Sequence, residues 1–113
     1  MVYKKKDNIV VNKSFSFSCD IIEYCRELKS INEFELSHQL IRSGTSIGAN
    51  IRESQRAVST KDFKNKLSIA LKEAEETSYW LELLEATTKN VPNNLQYKCD
   101  ELIKLLVTII KNS

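Results

Sequence analysis

A chain of 113 residues with 42% hydrophobic and 28% charged residues and a formal net charge of +2 has the length and composition of one soluble globular domain with one modest core, which leaves no room for a second. Only two glycines and one proline occur, so little interrupts a helix, and long helices with short connections are expected. The three cysteines, Cys19, Cys25 and Cys99, are odd in number and lack a Cys-x-x-Cys pair, which argues against a disulfide framework or a zinc site and for buried thiols in a reducing cytoplasm.

The N-terminal MVYKKKDNIVV is basic but has no apolar stretch long enough for a signal peptide, and no later run approaches a membrane span. A first helix is predicted over about 11–29, where Phe17, Ile21, Tyr24 and Leu28 repeat at helical spacing, flanked by Phe15, Ile22 and Cys25. A second, over about 33–57, carries the stripe Leu40, Gly44, Ile47, Ile51, Ser54 and Val58. Both glycines fall in step with that stripe, one turn apart, so "RSGTSIGAN" (42–50) reads as a helix face made small and not as a loop. Each glycine costs about 1 kcal/mol against alanine inside a helix. That cost implies a close approach in return, by another helix backbone or by a large ring such as Tyr79 or Trp80. Beside the stripe runs a polar line, Ser43, Ser46, Asn50 and Glu53, suited to a second subunit, a buried hydrogen-bond network or a solvated face.

The third helix, about 60–89, is the clearest. Phe63, Leu67, Ala70, Ala74, Thr77, Leu81 and Leu84 alternate in steps of four and three. Ser59 with Asp62 three residues on supplies a capping-box-like start, and Val91-Pro92 marks the end. A fourth helix, about 94–111, repeats the spacing with Leu95, Cys99, Leu102, Leu106 and Ile109, while Ile103, Val107 and Ile110 widen the stripe and predict burial on more than one side. Four helices with short connections predict an all-α, antiparallel up-down-up-down four-helix bundle filling 1–113 as a single domain.

That topology gathers charge. The start of helix one, the end of helix two, the start of helix three and the end of helix four share one end of the bundle. There Lys4, Lys5, Lys6, Lys13, Arg52, Arg56, Lys61, Lys64, Lys66, Lys104 and Lys111 outweigh Asp7, Glu53 and Asp62 by +8, leaving −6 to the remainder. In helix three the lysines come first and Glu73, Glu75, Glu76, Glu82 and Glu85 follow, against the helix-dipole preference. A basic end of this kind suits nucleic-acid phosphates or the acidic surface of a neighbouring subunit, whereas scattered surface charge serves only solubility. Arg52, Arg56, Lys61, Lys64 and Lys66 are the candidate nucleic-acid contacts.

Catalytic readings find less support. Glu35-x-x-His38 has the spacing of di-iron bundle ligands, but such sites use the motif twice and His38 is the only histidine. The carboxylates of Glu73, Glu75 and Glu76 have no evident base or metal partner, and Gly44-x-x-x-Gly48 lacks the Lys-Ser/Thr ending of a phosphate loop. No aromatic residues interleave with the basic cluster as in a single-strand-binding groove. No enzyme, metal or cofactor is expected.

Two stretches, "QLIRSGTSIGANIRES" (39–54) and "DFKNKLSIALKEAEETSYWLELL" (62–84), resemble the four-helix-bundle family of 23S rRNA-intervening sequence proteins, and the likeness runs over roughly 10–110. The resemblance implies a small bacterial protein assembling as a homopentameric ring, with no catalytic residues. A related branch of accessory proteins of diversity-generating retroelements partners a reverse transcriptase and nucleic acid, and this chain departs from it in its mild net charge. If copies close a ring, each presents one face to the next. Gly44, Gly48, Asn50, Glu73, Glu76, Tyr79 and Trp80 are then the expected helix-packing or subunit-contact residues, with Arg42 and Glu53 joining the polar network. The resulting expectation is a non-enzymatic oligomeric scaffold binding RNA or another nucleic acid through its basic end. The alternative is a protein-binding adaptor or accessory ring for a partner enzyme such as a reverse transcriptase.

Overall fold

The computed structural model describes residues 8–87 and 90–113. These form four helices, α1 (Ile9–Ser30), α2 (Phe34–Ser54), α3 (Thr60–Ala86) and α4 (Asn93–Lys111), in a rod of 44 × 21 × 20 Å. The lysines at positions 4–6 and Asp7, counted above in the basic end, and the expected end of helix three at Lys89 lie outside the described residues.

Side-chain pairs establish the direction of each helix. Across α2 and α3, Arg42 meets Glu73 and Glu76, whereas Glu53 meets Lys66, so the partner number falls as the residue number rises. The same reversal relates α1 to α2, through Cys25 with Ser37 and Asn8 with Gln55. It relates α1 to α4 through Lys13 with Glu101 and Asp20 with Lys98. The bundle is therefore antiparallel at these seams. Its core is built by Phe17, Ile21 and Leu28 of α1, Leu40, Ile47 and Ile51 of α2, Leu67, Leu81 and Leu84 of α3, and Leu95, Leu102 and Leu106 of α4. These are the apolar stripes of the sequence turned inward.

The connections show what ends each helix. After α1 the chain turns through Asn32 at φ 63°, a left-handed conformation that asparagine tolerates better than most residues. The N–H groups of Ile31, Asn32 and Glu33 return to the carbonyls of Leu28, Lys29 and Leu28, capping the helix. The second helix stops at Ser54 and not near residue 57, because Gln55, Arg56 and Ala57 each bond back three residues and tighten the chain into a 3₁₀-like turn. Val58 consequently leaves the stripe and stands 93% exposed. At the start of α3, the Asp62 N–H donates to Ser59 Oγ at 3.0 Å and the Val58 N–H donates to the Asp62 carboxylate at 3.2 Å. The cap is reciprocal, shifted one residue from the usual box. The third helix ends at Ala86, where the Thr87 hydroxyl lies 2.9 Å from the Leu83 carbonyl.

Three further expectations need correction. The trough at Gly44 and Gly48 is occupied by α1, not by Tyr79 or Trp80. A Cβ on Gly44 would lie 3.0 Å from both γ carbons of Ile21, and one on Gly48 would lie 3.4 Å from the Ser14 carbonyl oxygen and Ser18 Oγ. The fourth helix buries one side only, since Val107 is exposed and Ile103 and Ile110 are half-buried. Cys19 is exposed, whereas Cys25 and Cys99 are buried. The Cys25 thiol donates to the Ser37 carbonyl while Ser37 Oγ donates to the Cys25 carbonyl, and the Cys99 thiol donates to the Ala74 carbonyl. No helix among the described residues is long and apolar enough to cross a membrane.

Two measurements check this packing. Gly44→Ala presses on a fully buried isoleucine, and overpacking costs about 1–3 kcal/mol against a helix-propensity gain of about 1 kcal/mol. Gly48→Ala meets only ordinary contacts and keeps most of that gain. Urea denaturation is expected to place Gly44→Ala below the wild type and Gly48→Ala at or above it. The opposite order would contradict the α1–α2 contact.

Thiol and alkaline titrations give the second check. Burial pushes the Cys99 thiol up to about 12. Burial, reinforced by Glu27 and Glu85, does the same to the Tyr24 hydroxyl, also to about 12. Both groups are neutral in the fold and titrate at ordinary values of 9.0 and 10.0 when released. Stability is thus whole below about pH 9 and lost as pH rises from there towards 12. In native protein at pH 8, a thiol reagent is expected to modify Cys19 alone, with Cys25 and Cys99 reacting only on unfolding.

Candidate nucleic-acid interface

The five candidate cations come from the last turn of α2, the α2–α3 connection and the first turns of α3. Antiparallel packing brings these segments to one end of the rod, together with Lys13 of α1 and Lys111 of α4. They are not equivalent. Lys66 Nζ lies 3.0 Å from a Glu53 carboxylate oxygen, so its charge is partly answered within the chain. Arg52 is exposed, with its guanidinium carbon 5.6 Å from the centroid of the Phe15 ring, a cation–π arrangement. Arg56, Lys61 and Lys64 make no ion pair among the described residues, and Arg56 and Lys61 are exposed. Ser59 and Thr60 add hydroxyls between them.

Two aromatic rings belong to the basic end, against the expectation that none interleaves with it, and one of them, Phe63, lies between Lys61 and Lys64 in the chain itself. Phe15, on the outer face of α1, is 58% exposed and shares a groove with Thr45, Gly48, Ala49 and Arg52. Phe63, one turn into α3, packs partly on the core and partly lines a pocket of about 480 Å³ with Ala57, Val58, Ser59, Thr60 and Ser113. Each phenylalanine is separated from the basic residues in the chain or is read as core from its period. Only the fold shows that both rings face the basic end.

Several of the expected polar residues pair with one another within the chain. Arg42 of α2 reaches across to α3, where its guanidinium is 3.2 Å from Glu73 and pairs with Glu76. The Trp80 Nε1–H donates to the same Glu76 carboxylate at 3.0 Å. Below this, the Ser43 and Thr77 hydroxyls lie 2.8 Å apart, and Thr77 Oγ1 lies 2.8 Å from the Glu73 carbonyl. One proton per hydroxyl satisfies both contacts when Ser43 donates to Thr77 and Thr77 to the carbonyl. Asn50 Nδ2 donates to the Ser46 carbonyl one turn back and stays on α2. Tyr79 is 55% exposed, and its ring is tilted 55° against Trp80 at 5.3 Å. His38 is exposed, and no group of three potential metal ligands occurs among the described residues.

Because Arg42 is 45% exposed, each of its ion pairs is worth about 0–1 kcal/mol. Glu73 is only 13% exposed and is left without its cation when Arg42 is removed. Arg42→Ala is therefore expected to destabilise the fold by about 1–2 kcal/mol in urea denaturation. Glu73→Ala, which leaves Arg42 on Glu76, is expected to cost less. An Arg42→Ala variant as stable as the wild type would show that the network holds α2 to α3 too weakly to matter.

A search of the curated proteins finds no match. A protein with unknown function from the S23 ribosomal protein family of Bacteroides thetaiotaomicron VPI-5482, known as a crystal structure, is 48% identical to this chain. Its fold matches with a TM-score of 0.88 over 91% of this chain and 99% of that one. The family model for the 23S rRNA-intervening sequence protein matches residues 6–108. Four helices in the arrangement described, matched along nearly the whole sequence, make this chain a member of the 23S rRNA-intervening sequence protein family.

Proposed function

We propose that the protein is a non-enzymatic bundle that self-assembles in the bacterial cytoplasm and holds RNA by its phosphates at the basic end. The observation that carries this reading is a cluster of cations at one end of the rod, around the α2–α3 connection. Lys13 and Lys66 at that end are paired with Glu101 and Glu53, as Arg42 and Lys98 are with Glu73, Glu76 and Asp20. Beside them, Arg56, Lys61 and Lys64 remain without an ion pair among the described residues. Clustered, unpaired cations on an exposed surface suit a polyanion whose binding releases counterions. The family resemblance supports a ring of five copies, which would repeat the basic surface around an axis and bind by avidity.

A second reading has an observation of its own. At the opposite end, Phe34 and Ile31 are 57% and 58% exposed, and Phe34 lines a pocket of about 890 Å³ with Leu36, His38 and Trp80. Apolar exposure of this kind suits a protein partner, making the ring an adaptor for an enzyme such as a reverse transcriptase.

Fluorescence anisotropy with a structured ribosomal RNA fragment at 50 and 200 mM salt, on the order used to resolve phosphate contacts, separates the two. Binding should weaken with salt and disappear when Arg52, Arg56, Lys61, Lys64 and Lys66 are all replaced by glutamine. Lys66→Gln alone should weaken it less than Lys61→Gln, because Glu53 already answers Lys66. No binding at low salt would reject the RNA reading and turn attention to the apolar end. Native mass spectrometry of the same samples tests the ring, for which a single mass of five chains is the expected result.

A further inference from the structure

We infer that the basic end takes unpaired RNA, with an unstacked base seated against Phe63 in the pocket beside the α2–α3 connection and a second base on the exposed ring of Phe15. This inference rests on the RNA reading above and specifies which form of RNA that surface selects. Phosphate contacts alone do not favour a single strand, since the denser charge of a duplex releases more counterions per contact. Three observations supply that preference.

The first is the pocket itself. At about 480 Å³ it falls within the range of about 300–1,000 Å³ typical of small-ligand sites. It also has the mixed lining an extruded base uses, an aromatic ring at Phe63 and an aliphatic side at Ala57 and Val58. The hydroxyls of Ser59 and Thr60 can meet the polar edge of a base.

The second is its setting. Arg56 and Lys61 adjoin the pocket residues Ala57 and Thr60 in the chain, and Lys64 follows Phe63. A strand entering with its base inward therefore finds unpaired cations along its phosphates. Asp62, the one carboxylate in this stretch, already accepts the Val58 N–H. It holds the connection in place so that Val58, at 93% exposure, forms one wall.

The third observation is Phe15. An apolar ring that is 58% exposed, with the Arg52 guanidinium 5.6 Å from its centroid, is a stacking platform with a cation attached. Base–aromatic stacking and arginine cation–π contact are the sequence-tolerant elements of single-strand binding. A duplex keeps its bases inside the stack and cannot use either ring.

The test compares a labelled 16-nucleotide RNA with the same strand annealed to its complement, by anisotropy at 150 mM salt, for the wild type, Phe15→Ala and Phe63→Leu. Phe15 is exposed, so its truncation leaves the fold intact. Phe63→Leu keeps an apolar side chain on the core while removing the aromatic face. The wild type is expected to favour the single strand by about tenfold, in the lower part of what stacking on an aromatic ring provides. Each variant should erase part of that preference without changing duplex affinity.

Equal affinity for both forms, unmoved by either variant, would overturn the inference while leaving phosphate binding in place. Absence of binding to either form would remove the RNA reading and the inference together. A measurement on unaltered protein stands beside these. Photo-crosslinking of a 4-thiouridine-substituted strand is expected to mark the peptide holding residues 57–63, and adducts confined to other peptides would overturn the pocket assignment.

Discussion

The contact between Gly44 and Ile21 governs the rest of the bundle. With no side chain on Gly44, the branched end of Ile21 lies against the α2 backbone, and a Cβ there would find both γ carbons at 3.0 Å. That depth of approach sets the α1–α2 register. The same register puts the Cys25 thiol on the Ser37 carbonyl one way and the Ser37 hydroxyl on the Cys25 carbonyl the other. It also carries Asn8 to Gln55 at the far end. With α1 close on one flank, α2 turns Arg42, Ser43 and Glu53 towards α3. The two sides of α2 thus do different work, one by shape and one by charge and hydrogen bonds.

The arrangement of charge follows from the topology more than from any local preference. A helix dipole favours acidic residues at its start and basic ones at its end, yet α3 begins with Lys61, Lys64 and Lys66 and runs on through Glu73, Glu75 and Glu76. Within α3 alone this is unfavourable. Across the bundle, the same order lets Arg42 of α2 answer two of the carboxylates and leaves the lysines of the first turns at the solvent end. The local cost within α3 is thus tied to a charge distribution that only the whole bundle displays.

Much of the fold was legible because it is written in periodicity. Phe17, Ile21, Leu28, Leu67, Leu81 and Leu84 repeat at helical spacing and are buried where that spacing put them. Gly44 and Gly48 were legible as a packing face because they kept the phase of the stripe. The occupant of that face was not, since a missing side chain says how close a neighbour comes and not which neighbour it is. Phase also misled. Val58 continued the stripe on paper, but backbone bonds from Gln55, Arg56 and Ala57 had already tightened the chain out of the α-helix. The basic cluster could be read from topology and charge alone. The Phe15–Arg52 contact could not, because it joins residues 37 positions apart in facing helices and linear spacing carries no trace of it.

The seam between α1 and α4 has a consequence for how the rod responds to salt. The neighbours α1–α2, α2–α3 and α3–α4 are joined by short connections and form from contacts that are near in sequence, a topology that folds fast. Closing α4 onto α1 is different. It joins positions 88 and 78 residues apart, and the ion pairs that mark it, Lys13 with Glu101 and Lys98 with Asp20, are all about a third or more exposed. Such pairs add little and weaken as salt rises. The seam is therefore held by the apolar face of α4, whose Leu95, Cys99, Leu102 and Leu106 are buried in the common core. Its polar rim is the part of the bundle that salt loosens, while the α1–α2 contact, made by shape and neutral hydrogen bonds, is left undisturbed.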